Sequence, residues 1–204
     1  MKALIVVDMQ NDFMPGGPLG VDGADEIIPL INRLMDRFDL VVATQDWHPP
    51  DHGSFASNNP GHTPGEVIDL HGLSQVLWPD HCVQGTPGAA FVDDLNTNRF
   101  AAVVRKGMDP AVDSYSGFAD NGQRIQTGMA GLLNTRGVEH VYICGVATDY
   151  CVRFTALDAK RSGLRTTLIQ DAARGVGLNP GDVDAAVQAL KDAGVAVINA
   201  EELV

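Results

Sequence analysis

A chain of 204 residues, 45% of them hydrophobic, can form one sizeable core but is short for two domains of ~100–150 residues each, so a single domain over 1–204 is expected. Twenty-six acidic side chains against fourteen basic ones give a formal charge of -12; this disfavours nucleic acid and membrane surfaces and leaves small neutral or cationic ligands as partners. Three cysteines argue against a disulfide framework, and the opening apolar run Ala3 to Val7 stops at Asp8, too soon for a signal peptide or a bilayer span, so a cytoplasmic location is expected.

In chain order, Leu4 to Val7 reads as a fully buried strand, and Ile27, Leu30, Ile31, Leu34 and Met35 mark one face of a helix. Leu40 to Thr44 is a second strand. A stretch rich in Gly, Pro, His and Asp follows, about 47–97, with little periodicity; a segment of that length inside a compact domain is usually functional or disordered. Phe100 to Val104 is a third strand, and Ile125, Met129, Leu132 and Leu133 give a helix closed by Gly137. A fourth strand, from Val138, leads into Gly145-Val146-Ala147-Thr148-Asp149-Tyr150-Cys151. Val152, Thr155, Ala156 and Ala159 then share a helical face, which puts Cys151 in a first turn capped by Thr148 or Asp149. Arg165 to Ile169 is a fifth strand. Asn179 and Pro180 open a helix through Val183, Ala186, Val187 and Leu190, stopped by Gly194, and Val195 to Ile198 closes the chain's strands. Regular alternation of this kind predicts an α/β fold of three layers, with a six-stranded, mostly parallel sheet and helices on both faces.

Ligands of open parallel sheets bind beyond the carboxyl ends of the strands. Here those ends carry Asp8, then Asp46 and His48, then Arg105 and Lys106, then the Cys151 turn. Each has a plainer reading alone: a buried cysteine is usually inert packing, an aspartate after a strand a cap, a lysine an edge charge. Together they describe nucleophilic catalysis. Cys151, its pKa lowered by helix dipoles, attacks a carbonyl; Asp8 moves the proton; Lys106 holds the carboxylate and stabilises the thiolate; the NH groups of Ala147 and Cys151 form an oxyanion hole. No histidine is placed for a Cys/His pair.

A second set is metal-like. Asp46 and His48, two apart in extended chain, share a side, and His81 in Trp78-Pro79-Asp80-His81-Cys82 can close a three-ligand site, with His52 as a further candidate. Cys82 is set aside because consecutive residues point apart, and His62, His71 and His140 read as loop or surface.

The segments Ile5-Val6-Val7-Asp8-Met9-Gln10-Asn11-Asp12-Phe13, Thr44-Gln45-Asp46-Trp47-His48, Trp78-Pro79-Asp80-His81-Cys82, Arg105-Lys106-Gly107 and Gly145 to Val152 resemble, in order, the nicotinamidases of the isochorismatase-like hydrolase superfamily. The resemblance implies hydrolysis of nicotinamide to nicotinate and ammonia through a thioester, in NAD salvage, with pyrazinamide also turned over. It implies a triad of Asp8, Lys106 and Cys151. It also implies one divalent ion (zinc, iron or manganese) on Asp46, His48 and His81, with water or His52 completing the shell, that takes the pyridine nitrogen. Phe13 and Trp78 match the walls around the ring, Tyr115 matches another pocket residue, and Val146-Ala147 matches a cis peptide at the pocket.

Two rivals are weighed against this. Carbamoyl and ureido hydrolases of the superfamily generally lack the paired metal segments, and a non-catalytic metal-binding protein would not need the triad. The assembly state is left as monomer or small homo-oligomer.

Overall fold

The computed structural model describes residues 1–203. Its strands are β1 (Lys2–Val7), β2 (Leu40–Asp46), β3 (Val67–Leu70), β4 (Leu73–Val76), β5 (Ala102–Lys106), β6 (His140–Val146), β7 (Arg165–Arg174) and β8 (Ala196–Ile198). Its helices are α1 (Ile28–Met35), α2 (Met129–Thr135), α3 (Arg153–Arg161) and α4 (Asp182–Asp192).

Six strands pair in the order β5-β2-β1-β6-β7-β8, and every neighbouring pair is parallel. Central β1 shows why. Its side chains alternate between two apolar layers, so both faces must be covered and an alternating polar face is absent. Leu4 and Val6 pack with Ile28, Ile31 and Met35 of α1; Ala3, Ile5 and Val7 pack with Met129 and Leu133 of α2, Ala156 of α3 and Leu190 of α4. The expected three layers are therefore present, with one helix on one face and three on the other.

Several boundaries differ from the periodicity. β2 runs on to Asp46 and β5 starts at Ala102 and ends at Lys106, because the two ends stay paired in register. Phe100 lies outside the strand, its ring against Phe91 at 5.3 Å. Ile125 is not on α2. The Asp120 carboxylate accepts the backbone N–H groups of Arg124 (2.9 Å) and Ile125 (2.8 Å), folding that stretch into an exposed turn, and the helix begins only after Gly128. Nor do Asn179 and Pro180 open α4. Gly181 flanks its start at φ 90°, and the Asn179 N–H donates back to the Asp182 carboxylate at 2.8 Å. His140 is half-buried at the start of β6, stacked on Tyr142 at 4.2 Å, rather than a loop residue.

The aperiodic stretch contains a separate antiparallel hairpin, β3 with β4. His71 and Gly72, both at positive φ, form its two-residue turn, a geometry that matches strand twist. Its strands carry no clean apolar alternation, which is why the pattern hid them.

Candidate active site and metal-ligand cluster

The sheet order brings the ends of β5, β2, β1 and β6 side by side. Asp8 follows β1 at φ 49° and is fully buried. Its Oδ1 accepts the Thr44 hydroxyl at 2.7 Å, and its Oδ2 faces the Lys106 ammonium at 2.9 Å. From the end of β5, Lys106 also donates to Asp46 Oδ1, to the Ser114 carbonyl at 3.0 Å and towards Cys151 Sγ at 3.3 Å. Single acceptor atoms of Asp8, Asp46 and Cys151 lie within 4.8 Å of one another around it.

Two glycines make this packing feasible. Gly145 sits at φ 107°, and a Cβ there would stand 2.1 Å from the Val7 carbonyl oxygen, so β6 presses against β1 just before the nucleophile turn. Gly107 sits at φ 65° where a Cβ would meet the His48 ring at 2.3 Å. The Val146–Ala147 peptide is cis.

Cys151 lies in a single π-helical turn, Thr148–Val152, and α3 follows at Arg153. Neither Thr148 nor Asp149 caps by its side chain. The Ala147 carbonyl instead accepts from Tyr150 N and Val152 N, both at 3.0 Å, and the Asp149 carboxylate is turned away to a different loop.

Burial dominates the electrostatics. It pushes the Cys151 thiol well above its usual range; Lys106 opposes this, while Asp8 and Asp46 add to it. The expectation that helix dipoles would lower this pKa is thereby corrected: a sulfur shut away from water between two carboxylates holds its proton. Asp8 is raised to about 6, by burial first and by Asp46, with Lys106 pulling it down. For Lys106, burial favours the neutral form, but Asp46 and Asp8 overcome it and hold the ammonium charged.

Asp46 faces two ways. Its Oδ2 lies 3.7 Å from His48 Nε2 and 3.9 Å from His81 Nε2. Each ring's other nitrogen meets a backbone carbonyl, Gly107 O for His48 and Pro79 O for His81, both at 2.8 Å. Carbonyls only accept, so both rings carry hydrogen on Nδ1 and turn Nε2 inward, the arrangement of a metal-binding histidine; burial lowers the His48 pKa, but Asp46 outweighs it and raises it. Burial would raise Asp46, but Lys106 and His48 drive it well below the carboxylate range; burial and His48 lower His81 to about 4, keeping its ring neutral. The donor set thus fits a divalent cation. His52 falls in a different group, with His48 and Asp113. Its Nδ1 accepts from Ser54 N at 3.2 Å, which leaves the proton on Nε2, a buried atom with no hydrogen-bond partner.

A small cleft joins the two sets. It is lined by Phe13, Leu19, Asp46, Trp78, His81, Ala147, Tyr150, Cys151 and Val176. A larger hollow beside the end of β5, between Met108, Val112 and Ile125, contains neither Asp8 nor Cys151.

A model of the isochorismatase domain matches residues 2–202. The chain belongs to the isochorismatase family. Within it, the chain is 47% identical to the nicotinamidase of Acinetobacter baylyi, over 98% of this chain and 94% of that one. The structure of an Acinetobacter baumanii nicotinamidase/pyrazinamidase superposes with a TM-score of 0.97 at 49% identity, covering 100% of this chain and 98% of that one. A Pyrococcus horikoshii pyrazinamidase solved in complex with zinc gives 0.79 at 42% identity, covering 97% and 98%.

Of the residues expected from the isochorismatase-like motifs, Asp8, Lys106 and Cys151 come together, as do Asp46, His48 and His81. Phe13, Trp78 and Ala147 line the shared cleft. Tyr115 and Val146 do not. Val146 points into the α1 layer, and Tyr115 stands behind the wall, its hydroxyl accepting from Trp78 Nε1 at 3.1 Å and Gln75 Nε2 at 2.9 Å. Sequence reasoning missed Tyr150, Leu19 and Val176 as lining. It also missed Gln10, whose side chain accepts from Asp46 N and donates to Asp46 O, both at 2.8 Å, fixing the backbone of the bridging carboxylate. Gln10 lies two residues past Asp8 in a motif already singled out; nothing local distinguishes the others.

Proposed function

We propose that this protein is a nicotinamidase, hydrolysing nicotinamide to nicotinate and ammonia in NAD salvage and deamidating pyrazinamide as well. One observation carries the reading: a buried thiol beside a Lys–Asp pair shares a small aromatic-walled cleft with two members of a cation-binding cluster. That arrangement suits a flat molecule with a carboxamide at one end and a nitrogen lone pair at the other.

Asp8, ionised above about pH 6, takes the Cys151 proton as sulfur attacks the carbonyl carbon. The N–H groups of Ala147 and Cys151 receive the developing oxyanion. Protonated Asp8 then gives its proton to the departing nitrogen, releasing ammonia and leaving a thioester; Asp8 next deprotonates a water that cleaves it, freeing nicotinate and restoring the thiol. Lys106 stays charged throughout, holding Asp8 in place and balancing the successive anions. Asp46, His48 and His81 would hold a divalent ion, zinc, iron or manganese, with water rather than His52 completing the shell. When bound, that ion supplies a Lewis acid for the ring nitrogen and so orients the carboxamide towards Cys151. Phe13, Trp78 and Tyr150 enclose the ring.

Ammonia release from nicotinamide by the wild type and by Cys151→Ala, both loaded with metal, tests this. Release by the first alone supports it. Activity retained by Cys151→Ala within a few fold, and lost on chelation, would replace it with an ion-dependent hydrolase in which the thiol is structural.

A further inference from the structure

Asp149 is two residues from the nucleophile and buried, yet it neither caps the turn nor meets any group of the proposed mechanism. Its Oδ1 accepts the Val176 N–H at 2.9 Å and its Oδ2 accepts the Gly177 N–H at 2.8 Å. These residues belong to the connection from β7 to α4, which is exposed from Gly177 through Pro180. The approach is close: a Cβ on Gly175 would lie 3.0 Å from Asp149 Oδ1 and 2.4 Å from Val183 Cγ2. Val176 is also a cleft wall, in the same lining as Cys151, Trp78 and Tyr150.

Two adjacent backbone N–H groups converging on one carboxylate require two acceptor oxygens and no donor. The two oxygens of the Asp149 carboxylate offer that at this reach. Asparagine keeps the shape but turns an NH₂ against one of the N–H groups. The same short side chain that starts beside Cys151 therefore fixes where Val176 stands across the cleft.

We propose that Asp149 is a positioning residue that clamps the Val176 wall to the nucleophile turn and thereby sets the width of the substrate cleft, hence which ring sizes are accepted. The proposal rests on the reading of this cleft as the substrate site. It places specificity in a backbone clamp rather than in a substrate contact. If it holds, Asp149 and Val176 act through one another.

The test uses the metal-loaded full chain as Asp149→Asn, Val176→Ala and the double variant. Each single change raises KM for nicotinamide about tenfold with kcat within about threefold, as for lost uniform binding. The double variant is no worse than the worse single one; KM effects that multiply to about a hundredfold would overturn the clamp. A purely structural role would lower kcat per mole of protein and leave KM alone.

A second readout does not depend on turnover. Alkylation of Cys151, located by peptide mapping, is compared for iodoacetamide and the bulkier N-cyclohexylmaleimide. Both single variants raise the bulky-to-small rate ratio at Cys151 at least about fivefold, while Cys82 and Cys144 stay unreactive. An unchanged ratio, or equal labelling of all three cysteines, overturns the proposal. A wild type inactive on nicotinamide would overturn the proposed function instead, with the alkylation ratio still deciding the clamp.

Discussion

Lys106 and Asp46 are joined at the centre of the site: the ammonium donates to Asp46 Oδ1 while Asp46 Oδ2 faces His48 and His81. One carboxylate thus serves as counter-ion to the lysine beside the nucleophile and as a member of the cation-binding cluster. Asp46→Ala is expected to lower metal content and to cut kcat by about 100-fold or more, since the lysine also loses a partner. His48→Ala leaves the Lys106 pair intact, so metal content falls and KM rises about tenfold or more with a smaller change in kcat. Metal analysis and steady-state kinetics on the two variants separate these outcomes; identical KM-only effects would show that the two halves are not coupled.

Lys106 is nearly inaccessible and offsets Asp8 and Asp46 at once. Lys106→Met removes the cation and leaves two carboxylates facing each other in low dielectric. Breaking a buried pair from one side costs about 3–5 kcal/mol, so the urea midpoint should fall markedly at pH 7, together with activity. Recovery of stability at acid pH, as the carboxylates protonate, is the accompanying signature.

Asp8 sets the acid limb of activity. Its pKa is raised to about 6, so the base form prevails above that value and is lost as pH falls through it. The logarithm of kcat/KM should be flat near neutrality and decline with a slope of about one per pH unit below about 6. Asp8→Asn should lose about 100-fold or more in kcat and abolish that limb. A limb persisting in the variant would assign it to another group.

Gly145 carries the contact between β6 and β1. Gly145→Ala places a methyl group 2.1 Å from the Val7 carbonyl oxygen at φ 107°. Strain and displacement together should cost about 3 kcal/mol or more, read as a lowered thermal midpoint in calorimetry. Gly131→Ala on α2 is the control, because its added Cβ meets nothing within 4 Å.

Tyr115 supports the cleft from behind. Tyr115→Phe removes the acceptor for Trp78 Nε1, leaving that buried donor unpaired at a cost of about 1–3 kcal/mol, while Gln75 Nε2 keeps the Val76 carbonyl and Asp113 Oδ2. The Trp78 wall loosens, so KM should rise while kcat stays close to wild type. A fall in kcat alone would point to direct contact between Tyr115 and the reacting group.

What the sequence determined by itself was the order of the elements and the chemistry at the strand ends. Strand runs such as Leu4 to Val7 are continuous and apolar, so period and length declare them buried on both faces, and Asp8, Asp46, Lys106 and the Cys151 turn each stand at or just past the end of a strand, where a parallel sheet binds ligands. Only the tertiary structure decided how those groups act on one another. The pKa of Cys151 follows from burial between two carboxylates brought by β1 and β2, which outweighs the local dipole field that a turn's sequence suggests. Val176 and Gln10 join the site through backbone positions about 25 and 36 residues removed from Cys151 and Asp46, and the hairpin of β3 and β4 presents Gln75 to Tyr115 without any apolar period to announce it. Periodicity reports which side of an element is buried; it carries no record of which distant side chain will stand opposite, and that pairing sets the charges and the width of this cleft.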